Sequence, residues 1–438
     1  MIVRPAKQIR GRLDLPGDKS ISHRAALIAA LAEGTSRLVN FSNSADCGAT
    51  LSCLQQLGVG IEREGHEVVI HGVGADGLRA PLKPLDCANS ATTIRLLAGI
   101  LAGHNFTSTL TGDASLRSRP MQRIIEPLRM MGANVSSNGG RAPLMIEGRR
   151  PLKAINYELL VASAQVKSCI LLAGLSAKGQ TKVIENSVTR DHTERMLHWF
   201  GVSIEVREGE REDSRTVTAE GPARIGARDV TIPGDISAAA YFIAAAALLS
   251  GSSLEIANVG INPTRILFLK QMRSFGFDVT VNDAREQCTE PVGTVRARGS
   301  KMTPASNFDS LLTLRSSLIP QLIDELPLLA VVGTQIERGI EIRDAAELRV
   351  KESDRIAATV QGLRAMNAEV EEFDDGLRVG GSARLLGAKI DSRGDHRIAM
   401  AFSIAALIAE GETEIKDADC VAVSFPEFFD LLESLIEK

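Results

Sequence analysis

The sequence predicts a mixed α/β fold of two domains, each built from three copies of one repeating unit. The chain has 438 residues, which suits two domains of ordinary size. Segments that begin at Leu15 and Ile232 both run from Pro-Gly-Asp into an Ala-, Leu- and Ile-rich stretch, a glycine and a short strand-like segment. The same order recurs from Cys87, Val161, Asp324 and Gly394. Such self-similarity is typical of repeat architectures.

Each unit is predicted to contain a buried helix, a strand, a second helix and further strands. The opening helix is apolar on nearly all sides, as in AALIAALA and AAAYFIAAAALL, so it should lie in the middle of its domain. The second helix ends at a Gly or Asn before an alternating strand, as in LQQLGVGIE and LRAMNAEVE. Three units would surround parallel central helices with sheets, which is an inside-out repeat fold.

The domain boundary is expected in the segment IGARDVTIP, between the third and fourth units. This gives a first domain over residues 15–226 and a second over residues 227–438. The opening strand, residues 1–14, could pair with either domain. The polar stretch 283–307 lengthens the spacing between two units, and its composition predicts a surface insertion.

Composition restricts the possible functions. A hydrophobic fraction of 44% is that of a globular protein, and a net charge of −4 argues against a nucleic-acid-binding surface. The amino terminus does not resemble a signal peptide, and the apolar segments are too short to span a bilayer, so a cytoplasmic protein is expected. The six scattered cysteines allow a disulfide framework or a zinc site, but reduced thiols are favoured.

Polar residues at the starts of the units predict an anionic ligand. Ordinary N-capping accounts for Ser90, Ser163 and Asp235. It does not account for the cations near other helix starts, which are Lys19, Arg24, His396 and Arg397. A cation in the first turn opposes the helix dipole, whereas a bound anion is attracted by the helix N-terminus and by the cation. If the helix starts of both domains point inward, the cleft should bind a small polyanionic substrate.

Three further basic segments support this site. Lys351, Glu352 and Arg355 are predicted to lie within one helical turn, with Lys351 and Arg355 on one face. Arg119 stands just before a proline, and Arg190 lies in TRDHTERML. Taken singly, each segment also fits a solvated charged surface.

Several motif-like patterns do not predict cofactor chemistry. GVGADG has the spacing of a dinucleotide fingerprint, but the following LRAPLKP cannot open a helix. The sequence contains no P-loop, no nucleophile elbow and no histidine spacing typical of a metal site. We therefore expect a reaction without metal or cofactor.

Two long motifs resemble the signatures of the EPSP synthase family. They are LPGDKSISHR and RVKESDR, and NSATTIRL, GDASLRSRPM, SAQVKS, IDELP, DHRIAM and SFPEF follow in the family's order. The resemblance covers nearly the whole chain. It implies two domains of three βαβαββ units, with residues 1–14 joining the second domain, so that the chain crosses between the domains twice.

The resemblance implies an enzyme, a 3-phosphoshikimate 1-carboxyvinyltransferase. Such enzymes transfer the enolpyruvyl group of phosphoenolpyruvate to the 5-hydroxyl of shikimate 3-phosphate and release phosphate, on the route to chorismate and the aromatic amino acids. We expect a monomer without nucleic-acid or membrane partners.

The same resemblance implies the site residues. Those for shikimate 3-phosphate are Lys19, Ser20, Arg24, Ser163, Gln165, Arg190, Asp324 and Lys351. Those for phosphoenolpyruvate are Lys19, Ala91, Arg119, Gln165, Arg355 and Arg397. Asp324 is implied as proton acceptor and Glu352 as proton donor, with assistance from Lys19.

The sequence departs from the family pattern at four positions. Ala91 stands where many relatives have Gly, Leu96 where Pro is common, Val423 where many have Lys, and Glu347 where Asn is frequent. His23 in the first signature replaces Asn and is a known variant.

Two alternatives remain open. One is the sister enolpyruvyl transferase that acts on UDP-N-acetylglucosamine, although its typical Lys-Asn-Ala opening motif is not evident. The other is a non-catalytic scaffold that binds anionic metabolites, which would leave the pairing of Asp324 with Glu352 unexplained.

Overall fold

The computed structural model describes residues 1–209, 211, 213–299 and 312–437. Within these residues the chain divides into two compact units. The N-terminal unit comprises Pro16–Pro233 and Glu286–Glu290. The C-terminal unit comprises Met1–Leu15, Gly234–Arg285 and Pro291–Lys438. The predicted α/β repeat architecture is confirmed in each.

The elements are numbered in chain order. The strands are β1 (Ile2–Val3), β2 (Arg10–Asp14), β3 (Glu33–Val39), β4 (Gly60–Glu64), β5 (Glu67–Val73), β6 (Leu85–Asp86), β7 (Thr107–Thr111), β8 (Asn134–Asn138), β9 (Arg141–Glu147), β10 (Leu152–Lys153), β11 (Asn156–Glu158), β12 (Ala177–Glu185), β13 (Ile204–Glu208), β14 (Arg215–Gly221), β15 (Val230–Thr231), β16 (Ser253–Gly260), β17 (Asp278–Gln287), β18 (Glu290–Arg298), β19 (Leu312–Leu314), β20 (Ile340–Ile342), β21 (Val370–Phe373), β22 (Gly376–Val379), β23 (Lys389–Asp391) and β24 (Thr413–Lys416). The helices are α1 (Lys19–Ala30), α2 (Ala45–Gln56), α3 (Ala91–Ala102), α4 (Ala114–Ser118), α5 (Gln122–Met130), α6 (Ala164–Gly174), α7 (His192–Trp199), α8 (Ile236–Leu248), α9 (Leu267–Ser274), α10 (Ile319–Leu322), α11 (Leu326–Gly333), α12 (Arg355–Ala365), α13 (His396–Leu407) and α14 (Phe428–Leu435).

The sheets repeat one topology. In β6-β7-β9-β8, the first two strands are parallel, and β9 lies antiparallel between β7 and β8. The orders β10-β12-β14-β13 and β15-β3-β5-β4 in the N-terminal unit match it, as do β2-β16-β18-β17 and β19-β20-β22-β21 in the C-terminal unit. The last sheet, β1-β24-β23, is shorter. A parallel pair needs a helical crossover, so each full copy is a βαβαββ unit.

The helices that open the βαβαββ repeats form the centre of the N-terminal unit and the centre of the C-terminal unit. α1 and α6 pack on α3 in the N-terminal unit, and α8, α11 and α13 pack on one another in the C-terminal unit. Their apolar side chains are almost entirely buried, as the all-round hydrophobic pattern predicted. A Cβ added at Gly99 of α3 would stand 2.2 Å from the carbonyl oxygen of Cys169 in α6. Only glycine permits this approach of two helix backbones.

Each of two short strands belongs to one compact unit, although the next helix in the chain belongs to the other unit. β2 precedes α1 but pairs in parallel with β16 of the C-terminal unit. β15 precedes α8 but pairs in parallel with β3 of the N-terminal unit. The division therefore falls between Pro233 and Gly234 rather than at the expected 226/227, because β15 completes the first sheet of the N-terminal unit.

The segment 283–307 is not simply a surface insertion. Its residues up to Arg298 belong to β17 and β18, which form a hairpin in the sheet of β16. The tip of this hairpin, Glu286–Glu290, belongs to the N-terminal unit, so the chain passes between the units more often than the expected two crossings. Residues 300–307 of the predicted insertion lie outside the described residues.

No single helix in the described residues is long and apolar enough to cross a bilayer. One bent pair, Ser316–Leu322 and Leu326–Gly333, meets the length and composition requirements jointly, with a bend of 108°.

Candidate active site

Three helix starts in the N-terminal unit carry most of the polar residues that the sequence singled out. α1, α3 and α6 follow Asp18, Ser90 and Ser163, and each of these side chains accepts a backbone N–H from the first turn of its helix. Asp235 caps α8 of the C-terminal unit in the same way. The predicted capping is thus confirmed for Ser90, Ser163 and Asp235.

The side chain of Gln165 bridges the starts of α3 and α6. Its Nε2 donates to the hydroxyl of Thr92 at 3.0 Å, and its Oε1 accepts a hydrogen bond from the guanidinium of Arg95. Arg95 also donates to the carbonyl oxygen of Pro120 at 3.1 Å. These bonds fix which way the amide faces, because only the oxygen can accept from Arg95.

Lys19 is the first residue of α1, as predicted, and it forms an ion pair that the sequence did not reveal. Its Nζ lies 2.8 Å from Oδ2 of Asp46 in the first turn of α2. The Lys19 side chain is 18% exposed and that of Asp46 is 9% exposed. Oδ1 of Asp46 is buried without a hydrogen-bond partner among the described residues. The pair therefore holds the ammonium group in one place at the helix start.

His23 lies one turn further along α1 in a buried chain of hydroxyl groups. Its Nδ1 contacts Oγ1 of Thr50 at 2.7 Å, Thr50 contacts Thr93 at 2.7 Å, and Thr93 donates to Ser90 at 2.8 Å. Burial, then the positive charges of Lys19 and Arg24, hold the pKa of His23 well below its ordinary value of 6.5. The ring is therefore neutral in the folded protein at neutral pH.

We expect the His23→Asn variant to lose part of the acid sensitivity of the wild type. In the unfolded chain His23 gains a proton near pH 6.5, whereas in the folded protein its pKa is lower. Its contribution to stability is therefore present above pH 6.5 and declines by about 1.4 kcal/mol per pH unit as the pH falls below that value. Urea unfolding at about pH 7.5 and about pH 5.5 measures this decline. An identical decline in both proteins would contradict the prediction.

Arg24 lies in the second turn of α1, so the prediction that it belongs to the first turn is wrong. Its side chain is buried, and it donates to the Ser20 carbonyl oxygen at 2.9 Å, to Ser168 Oγ at 2.9 Å and to Thr193 Oγ1 at 2.7 Å. It thereby joins α1 to α6 and α7. The conflict with the helix dipole does not apply to it, because that effect falls off within the first turn.

Arg119 and Arg190 stand at two other helix termini of the N-terminal unit. Arg119 is buried directly after α4, and its guanidinium donates to Oδ1 of Asn89 at 2.7 Å. Asn89 precedes the cap of α3, so the charge of Arg119 lies at the start of that helix beside Ala91. Arg190 is partly buried and directly precedes Asp191, the N-cap residue of α7.

In the C-terminal unit, Asp324, Arg355 and Arg397 form one cluster. The carboxylate of Asp324 lies 3.7 Å from the guanidinium of Arg355 and 3.8 Å from that of Arg397. The Asp324 side chain is 20% exposed, while both arginines are buried. The structure thus brings together three residues that are separate in the sequence.

Further carboxylates surround Arg355. Asp395, the fully buried N-cap of α13, accepts a hydrogen bond from Nε of Arg355 at 2.8 Å. Glu352 contacts the same guanidinium at 2.6 Å. Burial opposes the charge of this guanidinium, but Asp395, Glu352 and Asp324 outweigh that effect and raise the pKa of Arg355 above its ordinary value. Burial likewise opposes the charge of Arg397, but Asp324 and neighbouring groups raise the pKa of Arg397. Both arginines remain protonated.

The predicted helical pairing of Lys351 and Arg355 is wrong. Lys351 follows a short 3-10 helix, Ala346–Val350, in an extended conformation. α12 begins only at Arg355, because Asp354 caps it by accepting from the Ala357 N–H at 3.0 Å. Lys351 instead pairs with Glu347 at 3.1 Å.

Comparison with known proteins identifies the family. The sequence profile of EPSP synthase (3-phosphoshikimate 1-carboxyvinyltransferase) matches residues 3–432. The chain is a member of the EPSP synthase family. It is 50% identical to the 3-phosphoshikimate 1-carboxyvinyltransferase of Koribacter versatilis over 437 residues, which cover 100% of this chain and 99% of that relative. It is 48% identical to that of Salinibacter ruber over 431 residues, 98% of this chain and 97% of that relative.

Solved structures agree with this assignment. An EPSP synthase from Acinetobacter baumannii superimposes with a TM-score of 0.85 at 40% sequence identity, covering 99% of this chain and 97% of that one. The UDP-N-acetylglucosamine alternative gains no support, since the full-length relatives are named 3-phosphoshikimate 1-carboxyvinyltransferases.

The structure explains one departure from the EPSP synthase pattern and adds residues that sequence reasoning missed. Glu347, where relatives often have Asn, gives Lys351 a charged partner. Val423 ends a 3-10 helix, and nothing among the residues that the structure describes identifies a substitute for the lysine that many relatives have. Asp46 was missed as the partner of Lys19, because its place shortly after Ser44, the cap of α2, is a signal for a helix start only. Asp395 stands in the motif DHRIAM, but it was not predicted as the partner of Arg355.

We expect weak inhibition of this EPSP synthase family member by glyphosate, an analogue that occupies the phosphoenolpyruvate pocket. Ala91 is the first residue of α3, and its methyl group stands beside the start of that helix where glycine would leave space. The Ala91→Gly variant should bind glyphosate about tenfold more tightly, in keeping with the cost of crowding a packed pocket by one methyl group. Inhibition assays at fixed phosphoenolpyruvate measure the change. Submicromolar inhibition of the wild type would contradict the prediction.

Proposed function

We propose that the polar residues at the helix starts of the N-terminal unit, together with the cluster of Asp324, Arg355 and Arg397 in the C-terminal unit, carry the reaction of the family. This chain transfers the enolpyruvyl group of phosphoenolpyruvate to the 5-hydroxyl of shikimate 3-phosphate, giving 5-enolpyruvylshikimate 3-phosphate and phosphate. The observation that carries the assignment of roles is the cluster of Asp324 with Arg355 and Arg397. It combines a partly exposed carboxylate with two buried cations in a family whose substrates are anions.

Cations are needed because the substrates repel each other. Each substrate carries a phosphate and a carboxylate, and their approach without compensating charge is unfavourable. We assign Arg355 and Arg397 of the C-terminal unit, and Arg119 of the N-terminal unit, to phosphoenolpyruvate. Their planar guanidinium groups suit bidentate contacts with carboxylate and phosphate. Lys19, Ala91 and Gln165 complete this set.

Shikimate 3-phosphate is assigned to the other predicted residues. These are Ser20, Arg24, Ser163, Gln165 and Arg190 of the N-terminal unit, and Lys351 and Asp324 of the C-terminal unit. Support comes from the starts of α1 and α6, because free backbone N–H groups there attract phosphate. The contacts of Arg24 with three helices indicate that it also holds the framework of this set in place.

Asp324 is proposed as the proton acceptor. Its carboxylate lies 3.7 Å from the guanidinium of Arg355 and 3.8 Å from that of Arg397, the two residues assigned to phosphoenolpyruvate, so it stands beside the proposed position of the reacting substrate. In the addition step, the 5-hydroxyl proton passes to Asp324 while the hydroxyl oxygen bonds to C2 of phosphoenolpyruvate.

Glu352 is proposed as the proton donor. A proton from Glu352 to C3 converts the methylene group into a methyl group and completes the addition. In the elimination step, the bond between C2 and the phosphate oxygen breaks, and a methyl proton returns to the carboxylate. The Glu352 carboxylate contacts the guanidinium of Arg355 at 2.6 Å, so it lies beside a residue assigned to phosphoenolpyruvate.

The test of this function is release of phosphate from a defined pair of substrates. We expect phosphate on mixing the protein with shikimate 3-phosphate and phosphoenolpyruvate, and none when UDP-N-acetylglucosamine replaces shikimate 3-phosphate. Phosphate release from phosphoenolpyruvate with UDP-N-acetylglucosamine, but not with shikimate 3-phosphate, would indicate the sister enzyme. Binding of the substrates without phosphate release would indicate a non-catalytic scaffold. The cytoplasmic location and the monomeric state remain predictions from the sequence.

A further inference from the structure

The tip of the β17–β18 hairpin is clamped to the start of α7. Nδ1 of His192 lies 2.7 Å from Oε1 of Glu290, and the two side chains are only 2% and 3% exposed. Thr289 Oγ1 donates to the carbonyl oxygen of Arg195 at 3.0 Å, and Arg195 donates back to the carbonyl oxygen of Thr289 at 2.8 Å. All of these residues belong to the N-terminal unit, although most residues of the hairpin strands belong to the C-terminal unit.

The turn at this tip adopts an unfavourable conformation. Cys288 and Thr289 both lie in the left-handed region, with φ values of 49° and 65°. A two-residue hairpin turn of this kind favours Asn-Gly, and a β-branched residue such as Thr289 is an outlier in it. Such conformations persist where surrounding contacts over-determine them and are common at functional sites. Here the surrounding contacts are those with α7.

The contacts of Thr289 and Glu290 with α7, here called the clamp, act on the residues that directly follow Arg190. Asp191 is bonded through its carboxylate to Arg195 at 2.8 Å, and Arg195 holds the tip. His192 is held by Glu290. On the other side of Arg190, the backbone N–H of Thr189 donates to Glu185 at 3.2 Å. The peptide that carries Arg190 is therefore fixed at both ends.

The anchor on the Thr189 side is a buried ion network. Lys167 of α6 lies 3.0 Å from Glu185 and 2.6 Å from Glu194, and all three side chains are buried. A buried network of this kind is rigid, because loss of any partner would leave an uncompensated charge. The Glu290 clamp is thus the second of two anchors, and it is the one supplied from a distant part of the sequence.

We propose that Thr289 and Glu290, the clamp of the hairpin tip, form a positioning element for Arg190. This inference rests on the proposed function, in which Arg190 binds shikimate 3-phosphate. The clamp does not touch the substrate. It fixes the backbone at the start of α7 so that the guanidinium of Arg190 meets the bound anion without further ordering.

The experiment is a double-mutant cycle of Glu290→Ala with Arg190→Ala, read out by calorimetric titration of shikimate 3-phosphate. We expect Glu290→Ala to raise the dissociation constant about tenfold in the wild-type background and to have no further effect beside Arg190→Ala. The KM for phosphoenolpyruvate should change less than about twofold. Glu286→Gln, which removes an exposed carboxylate from the same hairpin tip, is the matched control and should bind like the wild type.

Glu290→Gln keeps the side-chain volume and an acceptor for His192, so it tests the clamp if Glu290→Ala does not fold. It should weaken binding in the same direction by a smaller factor. A change in melting temperature alone, with binding of shikimate 3-phosphate unaltered, would overturn the inference. So would an undiminished Glu290→Ala effect beside Arg190→Ala. If Arg190→Ala itself leaves binding unchanged, the assignment of Arg190 falls, and this inference falls with it.

Discussion

Replacing Asp324 by alanine is expected to lower kcat by about 10²- to 10⁴-fold, the range contributed by a positioned acid or base. Asp324 is the carboxylate of the cluster that both arginines face, at 3.7 and 3.8 Å. Without it, the 5-hydroxyl proton has no acceptor at the assigned position. The initial rate of phosphate release at saturating substrates measures the change.

The fold should survive the Asp324→Ala change. Arg355 retains Asp395 and Glu352 as partners, and the negative charges of Glu325 and Asp235 still act on Arg397, so neither buried cation is left uncompensated. Circular dichroism and the melting temperature should remain close to those of the wild type. Asp430→Ala, which removes an exposed carboxylate of the same unit, is the matched control and should keep full turnover. Wild-type turnover in Asp324→Ala would refute the role of this residue.

The Lys19→Met variant should lose about 10²- to 10³-fold in kcat, the loss seen when one preorganised charge donor is removed from a reacting centre. Lys19 is assigned to both substrates and stands at the start of α1. Methionine keeps much of the side-chain volume but has no charge. Lys178→Met, at an exposed position of the same unit, is the control for a lost lysine and should keep full turnover.

The partner of Lys19 allows stability and catalysis to be separated. Lys19→Met leaves the Asp46 carboxylate buried without its cation, which should cost about 2 kcal/mol in the free energy of unfolding. The double variant Lys19→Met/Asp46→Asn removes that charge, so its melting temperature should recover while its turnover stays low. Recovery of turnover in the double variant would show that Lys19 acts only on the fold.

Local signals in the sequence were sufficient for the helices and their caps. The all-round apolar pattern placed the central helices correctly, and Ser90 and Ser163 cap helices where predicted. Both signals depend on residues within a few positions of each other, so a single sequence contains them in full. Local spacing wrongly predicted that Lys351 and Arg355 share one helix face, because Asp354 between them caps a helix that begins only at Arg355.

Pairings between distant segments were not readable from the residues alone, and only the family resemblance assigned residues 1–14 to the second domain. β2 and β15 each pair in parallel with a strand of the unit that does not contain the following helix. A short strand has little periodicity of its own, and its partner is chosen by the packing of the whole sheet. For the same reason the polar hairpin at residues 283–298 was mistaken for an insertion, although its tip is anchored by His192 and Glu290.

The sequence by itself determined the repeat, the central helices and the need for an anionic ligand, because periodicity, capping and the conflict of cations with helix dipoles are local properties. Only the tertiary structure decided that Asp46 holds Lys19, that Asp395 holds Arg355, and that the hairpin tip holds the start of α7. These are contacts between buried charged groups far apart in the chain or on separate elements. Their energy depends on distance and burial in three dimensions, which spacing along a chain does not contain.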